Sequence, residues 1–138
     1  MKKLLILSAL LVFACSYGQD EETVPVYPGC KIKASNSEKR KCMSSAISEF
    51  VVRKFDTDTA KDLGLSGRQR IAVIFKIDKK GYVKDIRVRA PHPRLEKEAI
   101  RVINMLPRMI PGTVNGQPVV VPYSLPITFQ VAPSAATK

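Results

Sequence analysis

Two periodicities divide this chain. Met43, Ala46, Ile47, Phe50, Val51 and Phe55 recur mostly at three- and four-residue spacing, the signature of one buried helical face. Ser35 stands three residues ahead of Glu38, a capping box, so the pattern predicts a helix over residues 36–55. From residue 71 the period changes to two: Ile71, Val73, Phe75 and Ile77 share one side of a strand. Asp78-Lys79-Lys80-Gly81 supplies turn chemistry, and Tyr82, Val83, Ile86 and Val88 form the return strand of a β-hairpin. The step from Val83 to Ile86 breaks alternation and predicts a bulge near Lys84 and Asp85.

Leu95, Ala99, Val102, Ile103 and Leu106 then fall on one helical face over residues 94–106, bounded by Pro93 and Pro107. After the Asn115-Gly116 turn, alternation returns along residues 119–131, in Val119, Val121, Tyr123 and again in Ile127, Phe129 and Val131. Pro122 and Pro126 lack the N–H that a ladder needs, which assigns this strand to a sheet edge. The connector 56–67 carries a short helical turn before Gly64 and Gly67, and residues 132–138 form a tail. The order is helix, strand, strand, helix, strand. It predicts an α+β domain in which a small, mainly antiparallel three-stranded sheet packs against two helices.

Upstream of the first helix the pattern disappears. Residues 19–34 mix three acids with Val24-Pro25-Val26-Tyr27-Pro28-Gly29, an extended lead-in ending in a turn. Residues 1–18 read as a secretory signal: Lys2 and Lys3, an apolar run, then the small residues Ser16 and Gly18 before Gln19. The run is shorter than the roughly 20 residues that cross a bilayer as a helix. Val12-Phe13-Ala14-Cys15 also partly matches a lipoprotein box, so acylation of Cys15 stands beside plain cleavage after Gly18. The domain proper is expected over residues 35–131.

Export changes the meaning of the cysteines. Cys30 and Cys42 remain as an even pair after either processing route, and in an oxidising compartment the simplest reading is a disulfide. Zinc is the alternative, but it takes three or four ligands, and only one histidine accompanies these thiols. Without Lys2 and Lys3 the chain holds 21 Lys and Arg against 12 Asp and Glu, a formal +9. That balance favours anionic partners. Arg87, Arg89, Arg94 and Arg101 invite a nucleic-acid reading, but no aromatic set at stacking spacing accompanies them, and anionic lipid or lipopolysaccharide suits an exported protein better.

Chemistry for catalysis is missing from the pattern. His92 lies between two prolines with no acid or cysteine beside it, so it reads as a loop residue opening a helix and not as a general base. Ser44, Ser45 and Ser48 fall within the first helix without a base. Gly64-Leu65-Ser66-Gly67 lacks the spacing of a phosphate loop, and Asp78 reads as a turn former, not a metal ligand. No catalytic residue, metal or cofactor is assigned.

One ordered set of motifs carries more information. Phe75-Lys76-Ile77-Asp78-Lys79-Lys80-Gly81-Tyr82-Val83, Glu98-Ala99-Ile100, Leu106-Pro107, Ile110-Pro111-Gly112, Asn115-Gly116-Gln117-Pro118-Val119 and Tyr123-Ser124-Leu125-Pro126-Ile127-Thr128-Phe129 resemble the TonB C-terminal domain in order and spacing. Tyr27-Pro28-Gly29-Cys30 through Cys42 resembles a stand-alone, cysteine-containing branch of TonB-like proteins. The resemblance implies a non-enzymatic periplasmic module of TonB-linked transport. It would bind the N-terminal peptide of an outer-membrane transporter, the TonB box, or another envelope protein. It places that peptide along the last strand, on Val119, Val121, Tyr123, Leu125, Ile127 and Phe129, by strand addition. The chain lacks the proline-rich spacer and the histidine-bearing anchor helix of full-length TonB, so energy transduction does not carry over. Met109 and Ile110 stand about where the family has a tryptophan, so contacts of that ring do not carry over either. The competing expectation is a structural or adhesion protein holding anionic lipid or glycan on its basic surface.

Overall fold

The computed structural model describes residues 18–133, so the signal expected over residues 1–18 lies, but for Gly18, outside the described residues, as do Cys15 and residues 134–138 of the expected tail. In chain order the elements are β1 (Glu22–Thr23), α1 (Asn36–Lys54), α2 (Asp58–Asp62), β2 (Gly67–Ile77), β3 (Val83–Arg89), α3 (Pro93–Asn104), β4 (Thr113–Val114), β5 (Gln117–Pro118) and β6 (Val121–Val131).

Local chemistry explains most of these boundaries. At the start of α1 the Ser35 hydroxyl accepts from the Glu38 N–H while the Glu38 carboxylate accepts from the Ser35 N–H, the reciprocal capping box. His92 caps α3, its Nδ1 accepting from the Arg94 N–H at 3.1 Å, with Pro93 in the first turn. The sole histidine is thereby occupied in holding a helix end. In the β2–β3 turn the Asp78 carboxylate accepts from the N–H groups of Tyr82 and Lys80, each at 2.9 Å. Those bonds, led by the one from Tyr82, hold its pKa below the usual aspartate range. Gly81 completes the turn at φ 89°. The expected bulge is present: the β2–β3 register shifts between Ile74 and Lys76, and opposite it Asp85 adopts φ 50°.

The main sheet has the order β3-β2-β6 and is antiparallel throughout. One face is the core. Ile71, Val73, Phe75 and Ile77 from β2 and Leu125, Ile127, Phe129 and Val131 from β6 pack against Met43, Ile47 and Val51 of α1 and Leu95, Ala99, Val102 and Ile103 of α3. Fully burying side chains of this size contributes about 1.5–3 kcal/mol each, which makes this layer the dominant source of stability. The other face of the sheet is open to solvent along β2 and β6.

The structure refines two expectations. The lead-in is extended, and it is also paired: Glu22 and Thr23 oppose Val114 and Thr113, Val26 bridges Ile110, and β1, β4 and β5 make a second small sheet. Val24 and Val26 are buried as a result. The last strand begins at Val121, not Val119. Val119 follows the β4–β5 hairpin and donates its N–H to the Gly112 carbonyl at 2.9 Å, so that loop holds it out of the long ladder.

Candidate functional site

Every residue of β6 has a partner on β2, from Val121 opposite Ile77 to Val131 opposite Gly67, while no strand among the described residues lies along its other side. What that open side offers follows from alternation. At the hairpin the Asp78 N–H donates to the Tyr82 carbonyl at 2.8 Å, so the backbone of residue 78 faces β3. Along an antiparallel strand successive residues turn their backbone groups to opposite sides. Even-numbered residues of β2 therefore face β3 and odd-numbered ones face β6. Because the β2–β6 register joins odd to odd, the even-numbered residues of β6 turn their backbone groups outward.

Those residues are Pro122, Ser124, Pro126, Thr128 and Gln130. Both prolines sit where a missing N–H costs the ladder nothing, which explains how an 11-residue strand tolerates them. The open edge carries carbonyls at all five positions but N–H donors only at Ser124, Thr128 and Gln130. The same five side chains lie on the solvent face of the sheet. Leu125, Ile127 and Phe129 point into the core, with Val121 and Tyr123 half-buried above them. Five of the six positions marked in the sequence thus belong to the strand, and their side chains anchor it; Val119 lies off it. The positions that present backbone to the open side are the even-numbered ones, a parity that the spacing of Pro122 and Pro126 already reports.

Helix α1 lies over the inner side of β6. The Ser44 and Tyr123 hydroxyls hydrogen-bond near one end, and the rings of Phe55 and Phe129 meet at 4.8 Å near the other. Where the edge approaches Val121 a cleft of about 180 Å³ opens between α1, the lead-in and β6. Val24, Pro25, Arg40, Met43, Val121, Pro122, Tyr123 and Ser124 line it.

The solvent face of the sheet is basic. Arg68, Arg70 and Lys76 of β2 and Lys84, Arg87 and Arg89 of β3 are exposed there, around Ile74, which is 50% exposed. The acid that meets this group is Asp85, 3.4 Å from Lys76. Arg101 belongs elsewhere: on the helical side it is held by Glu98, so the four arginines singled out in the sequence do not form one patch. Ser45 is exposed on α1. Among the described residues there is no group of three or more His, Cys, Asp or Glu side chains arranged to hold a metal. Cys30 and Cys42 are joined as a disulfide, tying the lead-in turn to α1.

The model of the family described as Gram-negative bacterial TonB protein C-terminal matches residues 58–131. The chain belongs to this family. The match runs from α2 through β6, so the TonB C-terminal signature covers the main sheet and α3, while α1 and the disulfide precede it. No curated protein matches the chain. Membership makes this a TonB-like envelope protein of a non-enzymatic family. No described helix is long and apolar enough to cross a membrane.

Proposed function

We propose that this protein is a periplasmic peptide-binding module of TonB-linked transport that adds an extended segment of a partner to the open edge of β6. The observation that carries this reading is the row of outward backbone groups from Pro122 to Gln130, beside a strand whose other side is fully laddered to β2. Main-chain bonds to such an edge supply affinity, and alternate side chains of the guest supply selectivity. Exposed edges are ordinarily blunted by proline or charge. Here the two prolines remove donors at 122 and 126 and leave Ser124, Thr128 and Gln130 able to donate, which sets the stretch a guest can pair with. The partner class is the N-terminal peptide of an outer-membrane transporter, or another envelope protein with an accessible extended segment.

The test is a titration of the protein lacking residues 1–18 with transporter N-terminal peptides, followed by backbone amide NMR. The reading expects the largest shifts at Ser124, Thr128 and Gln130. A titration that leaves β6 unmoved overturns it.

The basic solvent face supports a second reading, contact with an anionic envelope surface through Arg68, Arg70, Lys76, Lys84, Arg87 and Arg89. Binding of that kind weakens steeply with salt and is indifferent to the edge backbone. Vesicles of anionic lipid, compared with neutral ones at rising ionic strength, distinguish it from strand addition.

A further inference from the structure

The edge of β6 ends against a cleft, and the cleft has both a shape and a charge. Its inner wall is Met43 of α1, which is buried, and its upstream wall is Val24 and Pro25 of the lead-in. Val121 and Tyr123 close it on the strand side, and the Tyr123 hydroxyl is already engaged by Ser44, so the lining is chiefly apolar. Arg40 stands at the same opening, exposed and, among the described residues, without an ion pair or a side-chain hydrogen bond. Its neighbours in sequence, Lys39 and Lys41, are also cationic.

We infer that this cleft is the selectivity pocket of the edge, taking one aliphatic side chain of an added strand while Arg40 pairs with a carboxylate two residues away on the same face of that strand. The inference rests on the strand-addition reading and deepens it. Three features converge. A strand laid along Ser124 to Gln130 turns alternate side chains toward α1, the side on which the cleft opens. A cavity of about 180 Å³ holds a single Leu- or Val-sized side chain and not a large ligand. Arg40 supplies a positive group that nothing described in the protein neutralises, so charge complementarity selects an acidic guest over a basic one. The spacing of two follows from the strand itself, in which residues i and i+2 share a face.

The test uses acetylated, amidated heptapeptides of threonine and valine in which a Leu-Thr-Glu step is moved one residue at a time along the peptide. Edge amides and the Met43 methyl are followed by NMR, and affinity by calorimetry. In the best register the Glu peptide is expected to bind on the order of threefold more tightly than its Gln counterpart, the range of an exposed ion pair. That advantage should disappear in Arg40→Gln, and replacing the leucine by serine should abolish the Met43 shift. Equal affinity for Glu and Gln peptides in both proteins, with Ser124, Thr128 and Gln130 still shifting, overturns the cleft inference and leaves strand addition standing. Silence of those three amides with every peptide overturns strand addition itself, and the cleft inference with it.

Discussion

Gly81 and Met109 are in backbone contact. The Met109 N–H donates to the Gly81 carbonyl at 2.9 Å, and a Cβ built on Gly81 would lie 1.7 Å from the Met109 carbonyl oxygen. The β2–β3 turn is thereby docked onto the segment that leads to β4, with Arg108 completing the junction by donating to the Lys80 carbonyl at 2.7 Å and lying over the Tyr82 ring.

Gly81→Ala should therefore be among the most damaging single substitutions in the domain. It combines a side chain at φ 89° with a collision against backbone that has no rotamer to yield. Strain of this kind and overpacking each cost about 1–3 kcal/mol, so a loss of about 3 kcal/mol or more is expected in urea unfolding. A loss below about 1 kcal/mol would show that the Gly81–Met109 approach is not tight in solution.

Ser124→Pro removes the first of the three outward donors without touching the ladder to β2. Thermal stability should change little, because the Ser124 N–H points away from β2 and its side chain is exposed. Affinity for an added peptide should fall roughly tenfold, the upper range for one hydrogen bond. Ser124→Ala, which keeps the N–H, should bind as the parent does. A Ser124→Pro protein that folds and binds unchanged would place the guest elsewhere.

Reduction of the Cys30–Cys42 bond, or Cys42→Ser with Cys30→Ser, should cost about 3 kcal/mol, since the bridge closes a short loop in the unfolded chain. The effect should appear in α1 first. Amide exchange is expected to accelerate there and in the lead-in before it does in β2. Uniform acceleration would mean that α1 and the sheet unfold as one unit with or without the bridge.

Glu98 gives stability a pH dependence. Its carboxylate accepts from Arg101 and from the Asp56 N–H at 2.9 Å, while Arg101 donates to the Lys54 carbonyl at 3.1 Å, so the pair clamps the end of α1 to α3. The Arg101 hydrogen bond, first among these causes, holds the Glu98 pKa below the usual glutamate range. A depressed folded-state pKa means the contribution is complete above the unfolded value, about 4.3, and is lost as pH falls through the folded value. The stability difference between the parent and Glu98→Gln should accordingly be largest near neutrality and shrink below about pH 4. A difference independent of pH would remove Glu98 from the account.

Much of this architecture is legible in residue order because its causes are local. The capping box at Ser35 and Glu38, the breakers around His92, the turn at Asp78–Gly81 and the bulge at Asp85 act within a few residues, and each element they bound was visible in the sequence. Even the edge position of β6 was written locally, since two prolines four residues apart can share only the unladdered side of a strand.

What the chain order could not supply was the choice among distant surfaces. That β6 pairs with β2 and not β3, that a two-residue strand in the lead-in finds Thr113 and Val114, and that Arg40, Met43 and Val24 meet at the end of the edge all depend on three-dimensional packing. These contacts join residues far apart in sequence, and elements of two residues are too short to show any period. Only the tertiary structure decided where the open edge ends and what stands beside it, because burial of the shared apolar layer, not any neighbouring residue, brings those pieces together.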